Sequence, residues 1–416
     1  MDLAAWLDRL EQIHPSTIDL GLARCGEVAR RLELLDTAVT TITVAGTNGK
    51  GSTVAVMEAL LCASGVRVGA FTSPHLIRYN ERIRVDGAEV SDELIVEAFE
   101  AIERARSAIS LTYFEFNTLA ALWIFKKLDV TFQLLEVGLG GRLDAVNIIE
   151  ADVAVVTAIG LDHQEWLGTD VETIAVEKCG IAREGRTCVV ADSEAPRSVS
   201  TELQRIGAYE VLALRDYAYG DTHFESSEAG SIAWLLPASI LPLNAAAGLR
   251  ALEAAGVGIS EDIVAAGMGN VVLRGRRESF RLGNIDVVLD VAHNPDAAVQ
   301  LRKFLDRQVA KQPTMAIFAV MSDKDCRDMI AAVETVIDEW YLPRGIGGAR
   351  GQSPEIVAGF IAGTAHVKPT LESAFEGALG SLTNGGRLII FGSFFTVGEG
   401  MKVLESLRLS QLDGQS

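Results

Sequence analysis

The sequence predicts an α/β protein with largely parallel sheets, in two domains. Three observations predict it. Short runs of β-branched and apolar residues alternate with stretches of helical periodicity through the first half of the chain, the pattern of strand–helix units. Candidate polar residues recur just after the ends of those strands, where open α/β sheets bind ligands. The pattern restarts near residue 270, and 416 residues exceed the size of most single cores.

The element that organises the rest is the stretch from Thr40 to Ser64. Thr40 to Val44 reads as a buried strand, and Ser52 to Ser64 carries Val54, Met57, Leu60 and Leu61 at helical spacing. Between them lies Gly46-Thr47-Asn48-Gly49-Lys50-Gly51-Ser52-Thr53. A glycine-rich turn from strand to helix can wrap phosphate oxygens with backbone N–H groups, and the helix aims its positive end at the same place. Lys50 adds a full charge. Ser52 or Thr53 can offer a hydroxyl to Mg²⁺. The first unit is therefore expected as a P-loop-type domain. The general pattern G-x-x-x-x-G-K-[ST] fits imperfectly, because Val44 stands at the first glycine and Gly51 at the hydroxyl.

Before this element, Leu3 to Leu10 and Glu27 to Leu35 are expected as helices, with Pro15 to Leu22 as a connection. After it come a strand over Val66–Phe71, a Ser-Pro loop over Thr72–Leu76, a small hairpin over Glu81–Glu89 and a helix with an acidic start at Ser91. Phe114–Leu128 is expected as a helix and Phe132–Val137 as a buried strand running into a glycine-rich loop, 138–144. Val153–Ile159 is expected as a strand, Val171–Lys178 as a helix and Thr187–Ala191 as a strand. The section from about 208 to 240 reads as β-rich, and Asn244–Ala255 as a helix. The basic segment 274–283 reads as a linker. Ile285–Val291, Thr314–Val320 and Arg387–Phe391 are then strands of a smaller, Rossmann-like C-terminal α/β domain over 284–416, so the first domain is expected over 1–273.

Composition excludes several classes. A net charge of -19 argues against general nucleic-acid binding, which needs a basic face. The five cysteines, at 25, 62, 179, 188 and 326, form no C-x-x-C pair and are odd in number. That fits a reducing cytosol and offers no zinc or disulfide framework. The first residues, with three acids among an amphipathic pattern, are not a signal peptide, and no apolar run approaches the ~20 residues needed to span a bilayer. The expectation is a soluble cytoplasmic protein, read as a monomer.

The strand-end residues suggest nucleotide chemistry. Mg²⁺ prefers hard oxygen ligands, which Glu136 and the hydroxyls of Ser52 and Ser73 supply; His163 is softer. Glu136 can equally be half of an ion pair, and His163 a hydrogen-bonded core histidine. Asp290, His293 and Asn294 cluster after a strand of the second domain, with Arg276 in the linker. This suggests a nucleotide held between domains, an arrangement suited to activating a carboxylate and capturing it with an amine.

Several stretches carry a resemblance: GTNGKGST (46–53), TSPHLIRYNERIRV (72–85), LTYFEFNTLAALW (111–123), LEVGLGGRLDAVN (135–147), LDHQEWLG (161–168), IAVEKCGI (174–181), DVAHNP (290–295) and SDKD (322–325). In this order, across nearly the whole chain, they resemble the dihydrofolate synthase/folylpolyglutamate synthase family of Mur-type ATP-dependent amide ligases. The resemblance implies that ATP phosphorylates a substrate carboxylate and that the amino group of L-glutamate then attacks the acyl phosphate. It implies that the loop from Gly46 to Thr53 and Lys50 hold nucleotide phosphates, with Lys50 catalytic. It places Mg²⁺, at two sites, by Ser52, Ser73, Glu136 and His163, with a monovalent cation as a further implied ion. It makes Lys178 a carbamylated, catalytic lysine. Arg276 and Asp290 would contact nucleotide, and His293 would be a catalytic residue helping to place glutamate. LTYFEF and HPSTIDLGL resemble the bifunctional bacterial type, which accepts dihydropteroate as well as reduced folates. Phe114, Asp144 and Ala145 would then bind that substrate, although Phe114 at helical spacing from Trp123 and Phe125 can also be core.

Three positions depart from the family's pattern: Arg274 where proline is common, Val291 where glycine is common, and Cys179 where alanine is common. A Mur ligase of peptidoglycan synthesis is disfavoured by TSPHL and LTYFEF. A nucleotide-binding scaffold with a dead site would lack one of Lys50, Glu136, His163 or Lys178, and all four are present.

Overall fold

The structure is a computed structural model that describes residues 1–14, 18–35, 38–308, 313–382 and 385–413, with side chains to residue 407. Residues 15–17 of the expected 15–22 connection therefore lie outside the described residues. The chain forms two units, Met1–Val272 and Leu273–Ser416.

The first unit is built on an eight-stranded sheet of β1 (Thr40–Ala45), β2 (Val68–Phe71), β3 (Ile83–Val85), β4 (Ala88–Glu89), β5 (Phe132–Glu136), β6 (Val153–Val156), β7 (Thr187–Val190) and β8 (Tyr209–Leu212). Their order is β4-β3-β2-β5-β1-β6-β7-β8, and only β3 is reversed, pairing antiparallel with both β2 and β4. β1 lies between β5 and β6, with Val44 beside Glu136 and Ala45 beside Val156. The loops that leave these three strands therefore start side by side.

Local chemistry explains the flanking helices. Lys50–Ala63 starts on Gly49, whose φ of +100° lies in the left-handed region. Asp92–Arg106 is capped by the Ser91 hydroxyl accepting from Leu94 N. Tyr113–Lys127 begins in a reciprocal Thr112/Glu115 capping box. Val171–Cys179 is capped by Asp170. The expected helix 27–35 forms instead over Ala23–Arg31, and the strand 66–71 begins only at Val68. The Arg67 carbonyl is turned instead to the Thr131 and Phe132 amides. The β-rich section holds β8 and a separate antiparallel sheet of β9 (Tyr217–Tyr219), β10 (His223–Ser226) and β11 (Gly230–Ala233).

The second unit holds six strands: β12 (Glu278–Leu282), β13 (Ile285–Asp290), β14 (Thr314–Phe318), β15 (Glu339–Pro343), β16 (Thr364–Lys368) and β17 (Gly386–Phe391), in the order β12-β13-β17-β14-β15-β16. Here the sequence expectation needs correction. Residues 278–282, inside the segment read as a linker, form an antiparallel edge strand on β13. Alternation explains it: Ser279 and Arg281 are exposed while Leu282 is buried. The core of this unit centres on Phe318, Trp340 and Phe391, with Phe318 and Phe391 ring centroids 4.7 Å apart. No helix among the described residues is long and apolar enough to cross a membrane.

Candidate active site

The glycine-rich turn follows β1 directly. Gly46 has φ +152°, and a Cβ there would fall 1.8 Å from Thr157 Oγ1. A Cβ on Gly49 would fall 2.4 Å from Asn244 Oδ1. Both positions thus exclude side chains by backbone conformation and by close approach. The turn is tied to the end of β6: Thr47 N and Asn48 N donate to Ala158 O, and the Thr47 hydroxyl bonds Gly160 O at 3.0 Å. Lys50 Nζ donates to Gly46 O at 3.1 Å and Thr47 O at 3.3 Å, so it folds back over the turn. The Thr53 hydroxyl donates to Gly49 O, and Ser52 lies beside it in the first helical turn, also buried. Gly46→Ala is expected to destabilise the protein by about 1–3 kcal/mol through the strained backbone alone, read from urea unfolding.

Glu136, at the end of β5, is buried, and its carboxylate accepts the Ser73 backbone N–H at 3.0 Å. The same carboxylate faces the phosphate turn, since a Cβ on Gly51 would lie 3.5 Å from Glu136 Oε2. Ser73 and Glu136 are therefore brought together, and Gly51, the neighbour of Ser52, faces the same carboxylate. Among the described residues no group of three or more His, Cys, Asp or Glu is placed to hold a metal. One carboxylate beside hydroxyl-bearing residues and a glycine-rich turn suits Mg²⁺, which keeps several waters and leans on substrate phosphate. His163 lies on an exposed turn after β6. It has φ +50° and caps the short helix Gln164–Leu167, with Nε2 3.9 Å from Asp162 Oδ2.

The 138–144 loop after β5 builds the neighbouring wall. Asp144 is fully enclosed, and its carboxylate accepts the Gly138, Leu139 and Val146 amides. Burial outweighs those bonds and lifts its carboxyl to about 7. Ala145 starts the buried 3₁₀ turn that Asp144 caps. Phe114 is half-buried, its ring 5.8 Å from Phe71 and pressed on Gly138 so closely that a Cβ there would lie 2.5 Å from Phe114 Cζ. The ring is thus joined to the core and also borders the loop, which joins the two readings its spacing allowed.

Lys178 is buried near the end of its helix. Burial, then the nearby Lys50 charge, lower its ammonium to about 7, against the opposing pull of Asp162 and Asp144. Cys179 beside it is buried, and burial pushes its thiol up to about 12, so it packs as a small apolar residue.

Two groups here were not singled out in the sequence. Asn244, in the first turn of the helix Pro242–Ala254, is buried against Gly49 with its Oδ1 accepting no hydrogen bond. Thr157 closes the turn from beneath Gly46. Asn244 stands two residues after Pro242 at a helix start, which reads as ordinary helix initiation, and Thr157 as the end of a strand.

In the second unit, Asp290 ends β13, buried, accepting the Ala292 N–H at 2.7 Å and the Arg277 N–H at 3.0 Å. Burial raises its carboxyl, and Arg276 and Arg277 oppose the rise. His293 Nδ1 lies 2.9 Å from Val291 O. Asn294 caps the helix Pro295–Arg307 through the Ala297 N–H. The Arg276 guanidinium lies 5.3 Å from the centre of the Phe394 ring. Asp290, His293 and Arg276 thus share one end of β13.

A glycine-rich phosphate turn with Lys50, a buried Glu136 and Lys178, on a mostly parallel sheet followed by a second α/β unit, defines a Mur-type ATP-dependent ligase. The family profile described as "Mur ligase, glutamate ligase domain" matches residues 275–394. An Escherichia coli (strain K12) protein named dihydrofolate synthase/folylpolyglutamate synthase is 40% identical over 98% of this chain and 96% of its own length. A solved E. coli structure, FolC in complex with DHPP and ADP, superposes with a TM-score of 0.93 at 39% identity, covering 98% of this chain and 99% of that one. A bifunctional enzyme of Yersinia pestis with AMPPNP and Mn ion superposes with a TM-score of 0.91 at 39% identity, covering 97% and 98%. This chain belongs to the dihydrofolate synthase/folylpolyglutamate synthase family.

Proposed function

We propose that this protein adds L-glutamate to 7,8-dihydropteroate, giving dihydrofolate, and to reduced folates, through an acyl phosphate formed with ATP. The observation that carries the reading is the wall shared by the phosphate turn and the 138–144 loop. Glu136 at the end of β5, Lys50 at the start of its helix and Lys178 near the end of its own stand with Asp144, Ala145 and the half-buried Phe114 around this wall.

In this reading the 46–53 turn, through the amides not already bonded within the fold, holds the nucleotide phosphates with Lys50 and Asn244. Phe114, Asp144 and Ala145 seat the pterin end of the substrate. Ser52, Ser73, Glu136 and His163 hold Mg²⁺, which when bound neutralises phosphate charge. Lys178 becomes a carbamate. Arg276 and Asp290 contact nucleotide, and His293 helps to place the incoming glutamate. Residues 284–416 act as the glutamate-ligase part, a reading supported by the family match over 275–394. The reaction balances as carboxylate plus ATP giving acyl phosphate and ADP. The glutamate amine then forms the C–N bond, phosphate leaves with the C–O electron pair, and the amine loses a proton. We extend this reading to a cytoplasmic monomer with Mg²⁺ at two sites and a monovalent cation as a further ion. The free cysteines, four of the five buried, support a reducing compartment.

Purified protein with ATP, Mg²⁺, L-glutamate and dihydropteroate is expected to make dihydrofolate and release phosphate, and to extend tetrahydrofolate in the same mixture. Turnover with tetrahydrofolate alone would overturn the bifunctional reading and leave the ligase class standing.

A further inference from the structure

We propose that Phe394 is a positioning residue for nucleotide binding: its ring seats the Arg276 guanidinium and the His293 imidazole on one surface at the end of β13. The inference rests on the reading above, in which Arg276 meets nucleotide phosphate.

The parallel register pairs Asp290 of β13 with Phe391 of β17, so the chain leaves both strands side by side. His293 and Phe394 each lie three residues beyond that pair, and their ring centroids are 5.8 Å apart at 51°. Arg276 approaches the same Phe394 ring at 5.3 Å. The helix that Phe394 opens is tied down at its first turn. The Ser393 hydroxyl accepts from Thr396 N at 3.0 Å, and the Thr396 hydroxyl donates to Ala319 O at 2.6 Å. His293 is fixed from its other side by Val291 O.

Arg276 has two attractors here. One is the Asp290 carboxylate, whose proton affinity Arg276 lowers. The other is the ring face, which draws the cation through its quadrupole and takes up none of its N–H donors. A guanidinium stacked on a ring has its plane set by that ring, so the ring fixes the direction in which its planar fork points. Phe394 thereby acts through Arg276 and touches neither substrate nor reacting atoms.

The test uses the full chain and ATP with Mg²⁺, with binding measured by calorimetry. Phe394→Leu, which keeps the apolar volume and removes the π face, is expected to weaken ATP binding about 2–5-fold, the size of one partly exposed cation–π contact. Phe394→Tyr is expected to restore the affinity. In an Arg276→Ala background, Phe394→Leu is expected to add nothing, because the two residues act as one unit. An equal further loss in that background would overturn the inference, since a structural role is indifferent to Arg276. So would unchanged affinity of Phe394→Leu beside an unchanged chain that binds ATP. Failure of the unchanged chain to bind ATP would overturn the nucleotide reading itself, and this inference with it.

Discussion

Lys50→Ala is expected to lower kcat for ligation by about 10²–10³-fold, the range for removing one preorganised donor from developing charge. The lysine sits at the start of the 50–63 helix with its amine folded over the Gly46 and Thr47 carbonyls. Its charge therefore stands where phosphate oxygens meet the backbone N–H groups of the turn. Alanine leaves the helix intact, since its propensity exceeds that of lysine. The bonds lost are two to loop carbonyls at a partly buried site. Thermal unfolding should accordingly stay close to that of the unchanged chain while phosphate release in the complete reaction collapses. Near-normal turnover in a folded Lys50→Ala protein would contradict the role assigned to the turn.

Lys178→Met is expected to cost about 10–100-fold in activity, the range for removing a group that supports a metal from its second shell. Short carboxylic acids are expected to restore part of it. The physical basis is the environment of the amine. A lysine held to about 7 is largely unprotonated just above neutrality. A free amine adds CO₂: the N–C bond forms and one N–H proton passes to solvent, leaving a carbamate anion. Enzyme freed of CO₂ should regain activity on adding bicarbonate, more readily as pH rises through about 7. Labelled bicarbonate should give a carbamate carbon resonance that Lys178→Met lacks. The same shift has a stability consequence for the uncarbamylated protein. Between about 7 and 10.5 the unfolded chain binds one proton more at this lysine than the folded chain does. Stability in that window therefore rises with pH. Below it, the buried charge works against folding, and Lys178→Met is expected to raise the unfolding midpoint there. Activity of Lys178→Met equal to the unchanged chain would remove the carbamate from the account.

The sequence disclosed these features unevenly. The β1–turn–helix element was legible because its signals are local: β-branched residues, then glycines and a lysine, then helical periodicity. The hairpin around Asp86-Gly87 was legible for the same reason. Strand order was not, because β1 lies between β5 and β6, which follow it only after three long helices. Lys178 and Glu136 stood out through resemblance, since a lysine near a helix end and a glutamate at a strand end carry no spacing signal. Asn244 and Thr157 escaped notice because their placement depends on contacts between segments far apart in the chain. β12 was hidden for another reason. Its alternate residues are charged or polar and exposed, so a short edge strand looked like a basic linker. Phe394 belongs to the same group, for its meaning lies in Arg276 and His293, which only the β13–β17 register brings to it.

The central claim is that the carboxylate is activated by phosphorylation before glutamate attacks. It is tested most directly by dihydropteroate carrying a heavy-oxygen label in its carboxylate, incubated with the protein, ATP, Mg²⁺ and L-glutamate. The account predicts one labelled oxygen in the released phosphate for every dihydrofolate formed. Dihydrofolate formed with unlabelled phosphate would contradict it.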